Sequence, residues 1–138
     1  MKRYFGELML TLAQRWQVHT FTYDWRKSLE LAASQVRARI DACFPRNEPV
    51  HLVAAREGGI VARLYIALNA DHWAQRSGRL ITIGAPNWGS AIYLQALAGH
   101  LDIIQWADRL DPNYNRQDFL ALVRTFPSLY QLLPFAEP

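Results

Sequence analysis

The chain has 138 residues, of which 51% are hydrophobic and 12% aromatic, so it can bury the core of one domain. Its formal net charge of +3 comes from arginines scattered among acidic residues, because Lys2 and Lys27 are its only lysines. This is not the clustered basic surface of a nucleic-acid-binding protein, and no apolar run approaches the ~18 residues of a membrane-spanning helix. We therefore expect neither a nucleic-acid partner nor a transmembrane segment.

The N-terminus lacks the pattern of a secretory signal, since Glu7, Gln14 and Arg15 interrupt the apolar positions. Cys43 is the only cysteine, which excludes an internal disulfide and is compatible with a reducing compartment. These features favour a cytoplasmic location. The histidines show none of the spacings that are typical of zinc ligands, so no metal is expected.

Hydrophobic periodicity predicts helices that alternate with strands over residues 1–100. The predicted elements are, in chain order, a helix over Tyr4–Trp16, a strand over Val18–Tyr23, a helix over Ser28–Cys43, a strand over Val50–Ala54, a helix over Gly58–Asn69, a strand over Arg79–Ile83 and a helix over Ala91–Ala98. Ser28 and Ser90 are expected to be N-caps. This order predicts an α/β domain with a short parallel sheet whose two faces are lined by helices.

Residues 101–138 carry many aromatic side chains but no strand pattern. We expect this segment to be a helical, lid-like extension of the same domain that covers a face of the sheet. Residues 1–100 then form the core of the domain.

The stretch from Val50 to Tyr65 contains a strand that passes directly into a helix. Open α/β sheets place their chemistry at such junctions, and a small-x-nucleophile-x-Gly elbow holds a serine at the tip of the turn. Here Ala54, Gly58 and Gly59 supply the small residues, but the tip is Arg56. The scaffold of an elbow is present without its nucleophile.

Four stretches, in this order, resemble the lecithin:cholesterol acyltransferase-like group of α/β-hydrolases. They are Y-D-W-R at 23–26, the elbow continuing as G-G-I-V-A-R-L-Y-I at 58–66, L-I-T-I-G-A-P-N-W-G-S at 80–90, and T-F-P-S-L-Y-Q-L-L-P at 125–134. The resemblance implies a partial α/β-hydrolase fold whose C-terminal segment corresponds to part of the family's lid. It also implies hydrolysis or transfer of lipid acyl esters by a serine nucleophile, with no cofactor.

Family members typically read A-H-S-x-G-G at the elbow, and the resemblance can be carried over residue by residue. Ala55 then stands at the histidine, Arg56 at the nucleophilic serine, and Glu57 at the residue whose backbone N–H helps to bind the oxyanion. An arginine stays protonated and has no lone pair with which to attack a carbonyl. The carboxylate of Glu57 would also oppose a developing oxyanion. The segments that carry the family's triad acid and histidine have no counterpart here, so the chain resembles a fragment.

Several features carry a structural and a functional interpretation. Arg56 is expected to be solvated or paired with Glu57, and to relax the strained turn; the alternative is an anion site at the start of the helix. Asp24 and Arg26 are expected to form a local ion pair rather than to bind substrate. By resemblance Trp25, Trp88 and Trp106 would line an acyl pocket or lid, and the alternative is ordinary packing.

We predict a catalytically incompetent relative or fragment of a lipid ester hydrolase or acyltransferase. One alternative is a non-catalytic module that binds a lipid, an acyl ester or a protein. Another is one piece of a split serine esterase that a second polypeptide completes. Because unpaired sheet edges invite association, we also expect the isolated chain to be marginally stable or to self-associate.

Overall fold

The structure, a computed structural model, describes residues 2–46, 48–105 and 115–135. Its helices and strands are α1 Lys2–Ala13, α2 Leu29–Cys43, β1 Leu52–Ala55, α3 Glu57–Leu68, α4 Ala70–Gln75, β2 Leu80–Ile83, α5 Ala91–Ala98, α6 Asp102–Gln105, α7 Arg116–Val123 and α8 Pro127–Gln131. The predicted mixed α/β class is confirmed, and the predicted helix bounds lie close to the observed ones. No helix among the described residues is long and apolar enough to cross a membrane.

The sheet consists of β1 and β2, which pair in parallel over four residues each, from Leu52 opposite Leu80 to Ala55 opposite Ile83. The connection between them runs through α3 and α4. Parallel strands need such a crossover, because a tight hairpin can join only antiparallel ones. The predicted parallel pairing is therefore confirmed for these two strands.

The predicted strand Val18–Tyr23 is not a hydrogen-bonded strand. Among the described residues, none of the backbone groups of 17–23 bonds to another backbone group. The alternation that prompted the prediction is present, since Phe21 and Tyr23 are half-buried against the core while Thr22 is exposed. Side-chain alternation alone does not make a strand, because a ladder also needs a neighbouring backbone.

Helix α3 is the centre of the molecule, because it packs on both strands on one side and on α2 on the other. Its Val61 and Tyr65 are at most 1% exposed, and Ala32 and Ala33 of α2 are at most 2% exposed. Small side chains let the two helices approach closely, which excludes water from the apolar surface between them. Ser28 caps α2 as predicted, since its hydroxyl accepts from the N–H of Leu31 at 3.3 Å.

The opposite face of the sheet is open. Side chains alternate across a strand, and on this face Val53, Ile81 and Ile83 are 42%, 54% and 45% exposed. The expectation that helices line both faces is therefore wrong for the described residues. The reason is that α2 packs on α3 and extends the covered side instead of crossing to the other one.

The C-terminal helices α7 and α8 pack on α5. They also belong to the main core, because Val123, Leu129 and Leu132 are buried in the same cluster as the apolar face of α2. The side-chain amide of Gln131 accepts from the N–H of Leu29 at 2.8 Å and so binds α8 to the start of α2. The described part of the segment contains helices as predicted, and it contacts α2, α5 and the loop residues Trp88 and Ser90.

Candidate functional site

The turn between β1 and α3 places Arg56 at its tip with φ 53° and ψ −130°. A side chain with a Cβ seldom adopts positive φ, so the residue is held in a strained conformation. Two backbone hydrogen bonds hold it there: its N–H donates to the carbonyl of Ile83 at 2.8 Å, and its carbonyl accepts from the N–H of Gly59 at 2.9 Å. The expectation that an arginine relaxes the turn is wrong, because these bonds fix the backbone whatever the side chain.

Helix α3 packs closely on β2 directly after the turn. Gly59 allows this close approach because it has no Cβ. A Cβ at Gly59 would lie 2.6 Å from the Cβ of Ala85 and 3.3 Å from Cγ2 of Thr82. A Cβ at Gly58 would meet nothing within 4 Å. Of the two glycines, only Gly59 occupies a position where a side chain would clash with its neighbours. Ala54, the other small residue of the elbow, lies half-buried within β1.

The side chain of Arg56 extends into solvent and is 74% exposed. Its Nε lies 3.8 Å from Oε2 of Glu57, so the expected pairing is present as a long, exposed contact. The other carboxylate oxygen of Glu57 accepts from the hydroxyl of Tyr93 at 2.5 Å. Glu57 therefore cancels part of the positive charge at the tip and leaves a poor site for an anion.

Two phenols beside Glu57 stay protonated. Burial, followed by the hydrogen bond to Glu57, raises the pKa of Tyr93 far above its ordinary value of 10.0. Burial, followed by the negative charge of Glu57, also raises the pKa of Tyr23. A phenol that keeps its proton at neutral pH cannot act as a general base.

An open groove of about 390 Å³ lies at the tip of the elbow. Its lining combines apolar and polar side chains, namely Phe5, Ala55, Arg56, Glu57, Ile83, Gly84, Pro86, Ser90, Ile92 and Tyr93. None of the described residues that line it is a histidine. Ser90 is an N-cap as predicted, because its hydroxyl accepts from the N–H of Ile92 at 3.5 Å. The groove could hold an apolar group, but its described lining has no histidine to activate a nucleophile, and the carboxylate of Glu57 already accepts from the hydroxyl of Tyr93.

Of the tryptophans expected near the site, Trp25 and Trp88 do not line this groove. Trp25 packs edge-on against Phe126 at a ring distance of 5.5 Å, and Trp88 lies 5.7 Å from the ring of Phe135. Both tryptophans remain more than half exposed. Trp106 lies outside the described residues.

Asp24 and Arg26 form the expected local ion pair. Nε and Nη2 of Arg26 donate to the two carboxylate oxygens of Asp24, each at 2.8 Å. The hydrogen bond from Arg26 lowers the pKa of Asp24 to about 2. The pair fixes the loop that precedes α2.

A second cluster of ionisable residues was not found from the sequence. The hydroxyl of Tyr65 lies 2.7 Å from Nδ1 of His72, whose Nε2 lies 2.8 Å from Asp41. Nη2 of Arg76 donates to the same carboxylate at 3.1 Å, and Nη1 donates to the carbonyl of Pro45. Tyr65 and Arg76 are 0% and 2% exposed and the Asp41 side chain is 48% exposed, so the cluster binds α2, α3 and α4 together and reaches the surface at Asp41. Asp41 is 31 residues from His72 in the chain, so no local spacing pointed to the cluster.

Across the described ranges, no group of three or more histidine, cysteine or acidic residues could hold a metal ion. Comparisons of the chain with protein-family models, curated proteins and solved structures return no match. The likeness to the lecithin:cholesterol acyltransferase-like group therefore rests on the residues quoted above and remains a hypothesis.

Proposed function

We propose that this protein is a catalytically incompetent relative of the lecithin:cholesterol acyltransferase-like α/β-hydrolases. The observation that supports the proposal is the backbone of Arg56, which is held at positive φ between a parallel strand and the helix that follows it. In α/β-hydrolases a turn of this kind presents the nucleophilic serine. Strain at a residue without a catalytic side chain is the expected remnant of an elbow that once carried one.

The surroundings of Arg56 support the loss of catalysis. The guanidinium cannot attack a carbonyl, and the groove around it has no histidine among its described lining residues. The carboxylate of Glu57 accepts a hydrogen bond from the hydroxyl of Tyr93. It also places a negative charge beside the position that an oxyanion would take. Restoring a serine at the tip would therefore leave it without a histidine among the described lining residues and beside an unfavourable charge.

The test is hydrolysis of p-nitrophenyl butyrate by the unmodified chain, by Arg56→Ser and by Arg56→Ala as the matched control. We expect all three to show the same background rate, because no described residue that lines the groove is a histidine and the charge of Glu57 opposes an oxyanion. Turnover by the unmodified chain that a serine-directed fluorophosphonate abolishes would contradict the proposal.

A second candidate function is binding of a lipid without turnover. The observation that favours it is the exposed pair Trp88 and Phe135. Trp88 lies just before α5 in the chain, and Ile92 of α5 lines the groove. Exposed aromatic side chains beside an apolar groove are typical of surfaces that bind apolar ligands.

This candidate predicts saturable binding of phosphatidylcholine vesicles, followed by co-sedimentation. Trp88→Ala should weaken the binding several-fold, since a large apolar side chain leaves the surface. Trp16→Ala, which also removes an exposed tryptophan, is the matched control and should have no effect. A flat titration, or equal losses in both variants, would rule out this function.

A further inference from the structure

We draw no further inference here: the strongest candidate, the open apolar face of the sheet that Val53, Ile81 and Ile83 form next to the elbow groove, carries none because nothing in the structure shows what covers it.

Discussion

At the scale of single residues, Arg56 has a strained backbone conformation that its own side chain does not require. Its φ of 53° is imposed by bonds to Ile83 and Gly59, both outside its own side chain. The side chain contributes little to the free energy of unfolding, since its contact with Glu57 is 3.8 Å long and solvent-exposed. The strain is therefore a cost to stability that a different residue could remove.

We predict that Arg56→Gly raises the free energy of unfolding by about 1 kcal/mol. Strain of about 1–3 kcal/mol is relieved, and the greater freedom of glycine in the unfolded chain offsets part of the gain. Urea denaturation measures the difference. Arg56→Ala is the control, because it removes the same side chain but keeps the Cβ and should not stabilise. Equal stability of the glycine and alanine variants would contradict strain at this position.

At the scale of elements, the approach of α3 to β2 determines the shape of the elbow. Gly59 is the contact point, with Ala85 and Thr82 against it, while Gly58 one residue earlier faces open space. The sequence presents the two glycines as equivalent, and only the packing of helix on sheet distinguishes them.

We predict that Gly59→Ala lowers the free energy of unfolding by about 1–3 kcal/mol, since the added Cβ would force α3 away from the sheet. Gly58→Ala is the matched control and should be neutral or stabilising by up to about 1 kcal/mol, because alanine favours the helix and meets no neighbour. Thermal and urea unfolding of the two variants measure the contrast. If both variants lose the same free energy of unfolding, the close contact at Gly59 does not restrict the packing of α3 on the sheet.

At the scale of the whole molecule, one hydrophobic core joins α2 with the C-terminal helices α7 and α8. Tyr65 and Tyr93 belong to this core, and Tyr23 packs against it. Burial is the leading cause of the raised pKa of Tyr23, Tyr65 and Tyr93. In each case the folded protein retains the phenol proton above pH 10.0, the ordinary pKa that the unfolded chain regains. Ionisation therefore favours the unfolded chain once the pH exceeds that value.

We predict that the contribution of these phenols to stability is constant up to about pH 9 and falls between about pH 10 and pH 11. The sign follows from raised folded pKa values: the contribution is complete below 10.0 and is lost as the pH rises toward the folded values. Urea midpoints across this range measure the effect. Tyr93→Phe should make the loss less steep, although its lost hydrogen bond to Glu57 lowers stability at neutral pH. A midpoint unchanged at pH 11 would contradict the prediction.

The open face of the sheet also belongs to this scale. Val53, Ile81 and Ile83 form an exposed apolar surface. It lies on a sheet of two strands whose outer edges have no strand partner among the described residues, and such edges favour association between chains. Self-association of the isolated chain stays a prediction. Sedimentation at several concentrations would test it, and a monodisperse, cooperatively melting monomer would contradict it.

Local elements and the position of the unusual turn can be predicted from the sequence. Periodicity placed α2, α3 and α5 because each carries its apolar stripe at helical spacing, and Ser28 and Ser90 marked the starts of α2 and α5 because N-capping is a local interaction. The sequence also located Arg56 at the tip, since a strand that runs directly into a helix leaves one residue between them.

Which of these elements pair, and which conformation the turn adopts, depends on tertiary contacts. Val18–Tyr23 has the side-chain pattern of a strand, but hydrogen bonds depend on a neighbour that no local pattern reveals. The network of Tyr65, His72 and Asp41 joins three helices and has no sequence signature. The strain at Arg56 is likewise imposed by distant backbone, so the nature of the side chain could not predict it.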